Sequence, residues 1–297
     1  MKHVTLDGYS GMELPLARFT KINSPLLAYA KNVTSQFGED GIIARLVELI
    51  QPGERFCVEF GAWGGKYYSN CHQLLATSDW QGLMIEGNPE KYRDLVSTFA
   101  GNDRVRTLNR FVDFEGPNGL DNILAECNAP KDLGLLSIDI DGNDYHIWKS
   151  LQGYAPEIVV IEFNPTVPND VFFVQDASFD VNHGCSLLAL TLLGQEKGYE
   201  LCVCTTTNAF FVKGEVRKSW NPAQLHQRPA SAAARRKDFP RLRWNDIRGR
   251  HEQPSLAEYS AVVRGFSGFA QRRPRLQRCS QEMTARLVAM RLKEHRA

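Results

Sequence analysis

R-F-C-V-E-F-G-A-W-G-G, residues 55–65, is the stretch on which the reading of the whole chain turns. Phe56, Cys57, Val58 and Phe60 form a short apolar run broken only by Glu59, the pattern of a strand buried on both faces. The run ends in Gly61, Gly64 and Gly65, where the backbone can turn sharply and lie close to a ligand. A helix expected from about residue 66 would aim unpaired N–H groups at the same place. Strand, glycine loop and helix read together as a cofactor cradle. Glycine-rich corners also occur as plain structure, so the segments on either side have to decide.

Working outward, W-Q-G-L-M-I-E at residues 80–86 is a second apolar strand ending in an acid, and Gly87-Asn88-Pro89 turns it into the next helix. Glu86 stands about 25 residues beyond Gly61, where a doubly wound nucleotide fold places the carboxylate that takes both ribose hydroxyls. Upstream, residues 41–50 have helical spacing, stopped by Pro52-Gly53. Downstream, helices are expected at 67–76, 89–99, 119–127 and 187–197, and strands at 105–112, 133–140 and 157–163. This alternation predicts a mainly parallel sheet with helices on both faces. Residues 199–205 and 209–213 are separated only by Thr206-Thr207-Asn208, too few for a crossover, so they close the sheet as an antiparallel hairpin. Five parallel strands and a terminal hairpin match the methyltransferase form of the doubly wound fold better than the dinucleotide form. The latter would also want G-x-G-x-x-G, which G-A-W-G-G does not supply.

The 297 residues suffice for one full α/β domain with an appendage. We divide them into an N-terminal segment (1–34), the α/β domain (35–213) and a C-terminal extension (214–297). No apolar run has signal-peptide or bilayer length, which predicts a cytoplasmic protein without a membrane partner. Seven cysteines, at 57, 71, 127, 185, 202, 204 and 279, fall mostly in apolar segments without zinc spacing and read as reduced core residues. Residues 1–213 carry 16 basic and 27 acidic side chains, whereas 214–297 carry 19 and 7. An acidic body thus bears a basic tail, partly disordered by composition, with one helical stretch at 281–293. Aromatics are sparse there, so the arginines read as solvated surface rather than a nucleic-acid site.

From about residue 35 to 213 the chain resembles the FkbM family of S-adenosylmethionine-dependent methyltransferases. The resemblance rests on S-Q-F-G-E-D-G, V-E-F-G-A-W-G-G, M-I-E-G-N-P and L-L-S-I-D-I-D-G-N-D-Y-H-I-W, in that order. It implies a class I, Rossmann-like fold and O-methylation of a sugar or other small-molecule hydroxyl. It also implies that Glu59, Gly61 and Gly65 contact the methionine part of S-adenosylmethionine, with Glu86 on the ribose and Asp113 on the adenine amine. Asp139 would face methyl donor and acceptor. One departure is Trp63-Gly64, where many members carry an acid or Asn.

Asp139, Asp141, Asp144, His146, Glu162 and Asn164 converge on this topology at the carboxyl edge of the sheet, where open α/β sheets bind ligands. In one reading Asp139, Asp141 or His146 takes the acceptor proton. In another, Asp139, Asp141 and Glu162 or Asn164 hold Mg²⁺, which would acidify the acceptor. Asp141 and Asp144 also fit a plain turn and helix cap. Trp63 either lines the pocket or fills the core, and Asn164-Pro165 either positions substrate or ends a strand. The alternative from another class is a Rossmann-like binding protein without turnover, reaching an anionic partner through its basic tail.

Overall fold

The computed structural model describes residues 24–218. Expectations for residues 1–23 and 219–297, including the helix at 281–293 and most of the basic extension, lie outside them. Seven strands form one sheet: β1 (Glu54–Phe60), β2 (Gln81–Glu86), β3 (Val105–Asn109), β4 (Leu133–Ile138), β5 (Ile158–Glu162), β6 (Tyr199–Cys204) and β7 (Asn208–Lys213). Their order is β3-β2-β1-β4-β5-β7-β6. β1 to β5 run parallel, and β7 inserts antiparallel between β5 and β6. The predicted hairpin therefore exists, and its inserted strand gives the sheet of a class I methyltransferase instead of the 3-2-1-4-5-6 order of the dinucleotide fold.

Helices α1 (Glu39–Ile50), α2 (His72–Thr77) and α3 (Pro89–Thr98) share one face of the sheet. Ile42, Ile43, Leu46, Leu75 and Leu95 pack there on Cys57, Met84, Leu135 and Val160. Helices α4 (Leu120–Glu126), α5 (Asp144–Ser150) and α6 (Leu187–Glu196) take the other face, with Ile123, Ile147, Trp148 and Leu190 against Val58, Ile85, Ile138 and Phe211. α7 (Gly214–Lys218) follows β7. Period-two alternation sends Val58 and Phe60 into one core and Cys57 into the other, which is why β1 reads as apolar throughout. α6 is buried nearly all round, consistent with its run of leucines. No helix among the described residues is long and apolar enough to cross a membrane. The six described cysteines are free and at least half-buried, and Cys279 lies outside the described residues.

Two expectations need correction. The first crossover helix starts at His72, not near residue 66, and spans only six residues. The N–H groups expected to face a ligand are bound within the protein. Those of Asn70 and Cys71 go to the Glu59 carboxylate at 2.8 and 3.3 Å, and that of His72 goes to Ser69 Oγ at 3.0 Å. The third strand ends at Asn109: Arg110 N makes its last ladder bond, to the Glu86 carbonyl at 3.2 Å, and residues 111–113 continue as a loop.

Candidate functional site

The strand order reverses between β1 and β4, and at such a switch point the connections leaving the carboxyl ends of an open α/β sheet diverge around the crevice in which ligands bind. Gly61 marks its floor. Its φ is +74°, and a Cβ there would overlap the Asp139 carbonyl oxygen, so only glycine allows β1 and β4 to end side by side. Gly65, at φ +76°, lies against α3, where a Cβ would stand 2.5 Å from Leu95 Cδ1. Thr98 Oγ1 donates to the Gly64 carbonyl at 2.6 Å and clips the loop to that helix.

Glu59 points from β1 into the layer between sheet and α1–α2. Its carboxylate accepts from Ser69 Oγ at 2.5 Å besides the two amides already named, and burial pushes its pKa up against those bonds. Asn70 Nδ2 continues the network to Ser137 Oγ on β4 at 3.1 Å. Glu86 is placed differently. At the very end of β2 it accepts from Trp63 N through Oε2 and from Asn88 N through Oε1, both at 2.7 Å. Two backbone donors hold the carboxylate in the crevice, and each oxygen keeps a lone pair for another donor. Asn88 caps α3 by accepting from Glu90 N and Lys91 N, ahead of Pro89, so the turn after Glu86 is set by local sequence. Trp63 is not core: its ring is 53% exposed, with Lys91 Nζ 4.4 Å from the centroid.

At the ends of β4 and β5, Asp139, Asp141 and Glu162 bring carboxylate oxygens within 4.8 Å of one another. Asp144 is not part of this trio. Fully buried, it accepts from Ile140 N at 3.0 Å and Gly142 N at 2.9 Å, and so shapes the turn that presents Asp141 at φ +58°. Burial raises its pKa to about 6 against those two amides, with Asp141 adding to the rise. Asp113 lies beyond β3, where Oδ1 accepts from Phe114 N at 2.7 Å.

The connection from β5 to α6, residues 163–186, is an ordered hood that no periodicity announced. Gln175 is its centre. Oε1 accepts from His183 N and Gly184 N at 2.7 and 2.8 Å, while Nε2 donates to Val181 O and Asn143 Oδ1, both at 3.0 Å. The Gln175 carbonyl lies 2.8 Å from His146 Nε2. A carbonyl only accepts, so Nε2 carries the proton and Nδ1 the lone pair of the neutral ring. Asn164 Nδ2 donates to the His183 carbonyl at 2.8 Å, fastening the hood to the end of β5. A buried glutamine that satisfies its own loop has no sequence signal, and nothing in residues 163–186 could have marked Gln175 beforehand.

The other end of the assembly is the turn S-Q-F-G-E-D. Asp40 gathers the N–H groups of Val33, Thr34 and Ser35 at 2.7–2.8 Å. Glu39 accepts from Thr205 Oγ1 at 2.6 Å, binding the N-terminal turn to the β6–β7 hairpin. Two surface concavities at the amino edge, one beside Lys149 and Lys197 and one beside Arg55 and Asp79, contain none of the anticipated site residues.

No family model matches the chain, and none of the curated proteins does. Among solved structures it is similar to the N-terminal domain of EvdMO1 with SAH bound (14% identity, 59% of this chain and 79% of that one, TM-score 0.39). A SAM-dependent methyltransferase from Aquifex aeolicus gives 9% identity over 68% of this chain and 99% of that one, TM-score 0.34. The mitomycin 7-O-methyltransferase MmcR gives 13% over 58% and 53%, TM-score 0.34. With likenesses of this size, the fold assignment stands on the strand order and on the inserted β7.

Proposed function

We propose that the chain is an S-adenosylmethionine-dependent methyltransferase of FkbM type, transferring the methyl group to an oxygen of a sugar or other small-molecule acceptor. The observation that carries the reading is the Glu86 carboxylate. It is held by one backbone amide from inside the glycine loop and one from the turn after β2, at the end of the strand next to β1, with lone pairs left for a ribose diol. Bound there, S-adenosylmethionine supplies an electrophilic methyl on a sulfonium centre.

The chain's own residues then have three tasks. Gly61 and Gly65 let the loop backbone approach the methionine part, whereas Glu59, expected from the resemblance to touch it too, is buried with its carboxylate on Ser69, Asn70 and Cys71 and supports the segment entering α2. Asp113 takes the adenine amine. Asp139, with Asp141 and Glu162 close by, makes the crevice negative beside the positive sulfonium, an attraction strengthened by partial burial. Transfer needs alignment of acceptor and methyl and removal of one proton from the acceptor oxygen. His146 Nδ1 is the base this reading selects, since Nε2 is committed to the Gln175 carbonyl. The convergence of Asp139, Asp141 and Glu162 favours one second reading, in which the trio holds Mg²⁺ and the metal lowers the acceptor pKa.

Calorimetry with S-adenosylhomocysteine, S-adenosylmethionine and NAD tests the cofactor. The first two should bind and NAD should not. Glu86→Gln should weaken both by roughly a hundredfold, the loss of two charge-assisted hydrogen bonds. Unchanged affinity in that variant would remove the ribose assignment.

A further inference from the structure

His146 is held by more than its hydrogen bond. The single bond between Nε2 and the Gln175 carbonyl tolerates tens of degrees of tilt in the imidazole, whereas a general base has to be fixed to roughly 10–20°. Two rings limit the tilt. Tyr145, its neighbour on α5, stands edge-on with centroids 5.5 Å apart, and Phe114, from the loop after β3, lies 6.1 Å away at 57°. Phe114 is half-buried against the core on this face of the sheet and is backed by Phe179 of the hood, almost parallel at 5.5 Å. Phe179 in turn meets Phe111 edge to face at 4.6 Å. The hood is also tied to the start of α5, since Asn143 Nδ2 donates to the carbonyl of Ser178 at 2.9 Å, one residue before Phe179. In the sheet β2, β1 and β4 lie between β3 and β5, so no strand pairing brings the loops after β3 and β5 together. They meet at these rings, and the row of rings ends on His146.

We propose that Phe114 is a positioning residue for His146: backed by Phe179, it fixes the tilt of the imidazole, while the Gln175 carbonyl fixes the tautomer. The inference rests on the reading above in which His146 takes the acceptor proton. It gives the hood a second hold on the same side chain, through packing as well as through the hydrogen bond.

The test is a double-mutant cycle in the full chain, with Phe114→Ala and His146→Ala made singly and together. The readout is transfer of labelled methyl from S-adenosylmethionine to the first acceptor found in a panel of monosaccharides and phenols. Phe114→Ala should lower kcat roughly tenfold, within what a 1 Å displacement costs, with KM and the Kd for S-adenosylhomocysteine unchanged. Phe114→Leu, which fills much of the same space, should recover most of the loss. On the His146→Ala background Phe114→Ala should cost nothing further, because a residue acting through His146 then has nothing to act on. Phe179→Ala removes only the exposed backing ring and should show the same pattern more weakly, which keeps the test open should Phe114→Ala fail to fold. Proton exchange at His146 Nε2, followed by nitrogen-15 spectra, needs no acceptor and should be several-fold faster in Phe114→Ala and unaltered in Phe172→Ala, elsewhere in the hood. Additive losses in the double variant, or exchange in Phe114→Ala as slow as in the wild type, would refute the positioning role and leave His146 as the base. Wild-type turnover by His146→Ala would refute both.

Discussion

The two halves of the carboxyl edge use the same residue type in opposite ways. Around β1 and β2 carboxylates organise backbone: Asp40 collects three consecutive amides, Glu59 sets the entry to α2, and Glu86 joins the turns after β1 and β2. At the ends of β4 and β5, three carboxylates crowd one another, and Asp144, buried beside them, accepts from the amides of Ile140 and Gly142. The difference teaches that the local supply of N–H donors decides how firmly a carboxylate at this edge is built into the fold, and Glu86 shows that such an acid can still keep lone pairs for a ligand. Where a glycine loop offers many, the acid is drawn into the fold.

The sharpest way to break this contrast is at the floor of the crevice. Gly61→Ala must adopt φ near +74° and also overlap the Asp139 carbonyl oxygen, so it should cost on the order of 4 kcal/mol in urea unfolding. Gly101→Ala supplies the comparison. That residue has φ +80° with nothing within 4 Å, so alanine there pays only the left-handed backbone term of about 1 kcal/mol. Equal losses at the two sites would mean that the closeness of β1 and β4 is not what glycine protects.

How much of this was legible beforehand follows the same division. The glycine loop, the Glu86 strand and the hairpin declare themselves because they rest on local signals: apolar runs, φ-permissive residues and a connection too short for a helix. The site acids after β4 are visible as residues, but which of them face outward is not. Asp141 and Asp144 look equivalent in D-G-N-D, and only the fold separates the exposed one from the buried one. The start of α2 was misplaced because Glu59 and Ser69 take the amides a helix would have freed. The hood was illegible because its order comes from Gln175 reaching partners six to thirty-two positions away, a pattern without periodicity.

The acceptor-side half can be sharpened by asking who removes the proton. Once a labelled-methyl screen supplies an acceptor, His146→Ala should lower turnover about a hundredfold, the contribution typical of a general base. S-adenosylhomocysteine affinity should stay near wild type, and EDTA should have no effect. The opposite pattern, with turnover abolished by EDTA, restored by Mg²⁺ and indifferent to His146, would give the role to Asp139, Asp141 and Glu162 acting through a metal.

The smallest effect probes the one buried acid on that side. The folded state holds Asp144 at a pKa of about 6, above the ordinary 3.8. Between these two values it keeps a proton that the unfolded chain has released. Stability from this group is therefore fully present below about pH 4 and is lost as pH rises through 6. Asp144→Asn cannot ionise and lacks this loss, although it forfeits one amide acceptor at every pH. Relative to the wild type, the variant should gain about 2 kcal/mol between pH 4 and pH 7 in chemical denaturation. A difference that stays flat across that range would mean the carboxylate is charged throughout, and the division between the buried Asp144 and the exposed Asp141 would fail at its clearest point.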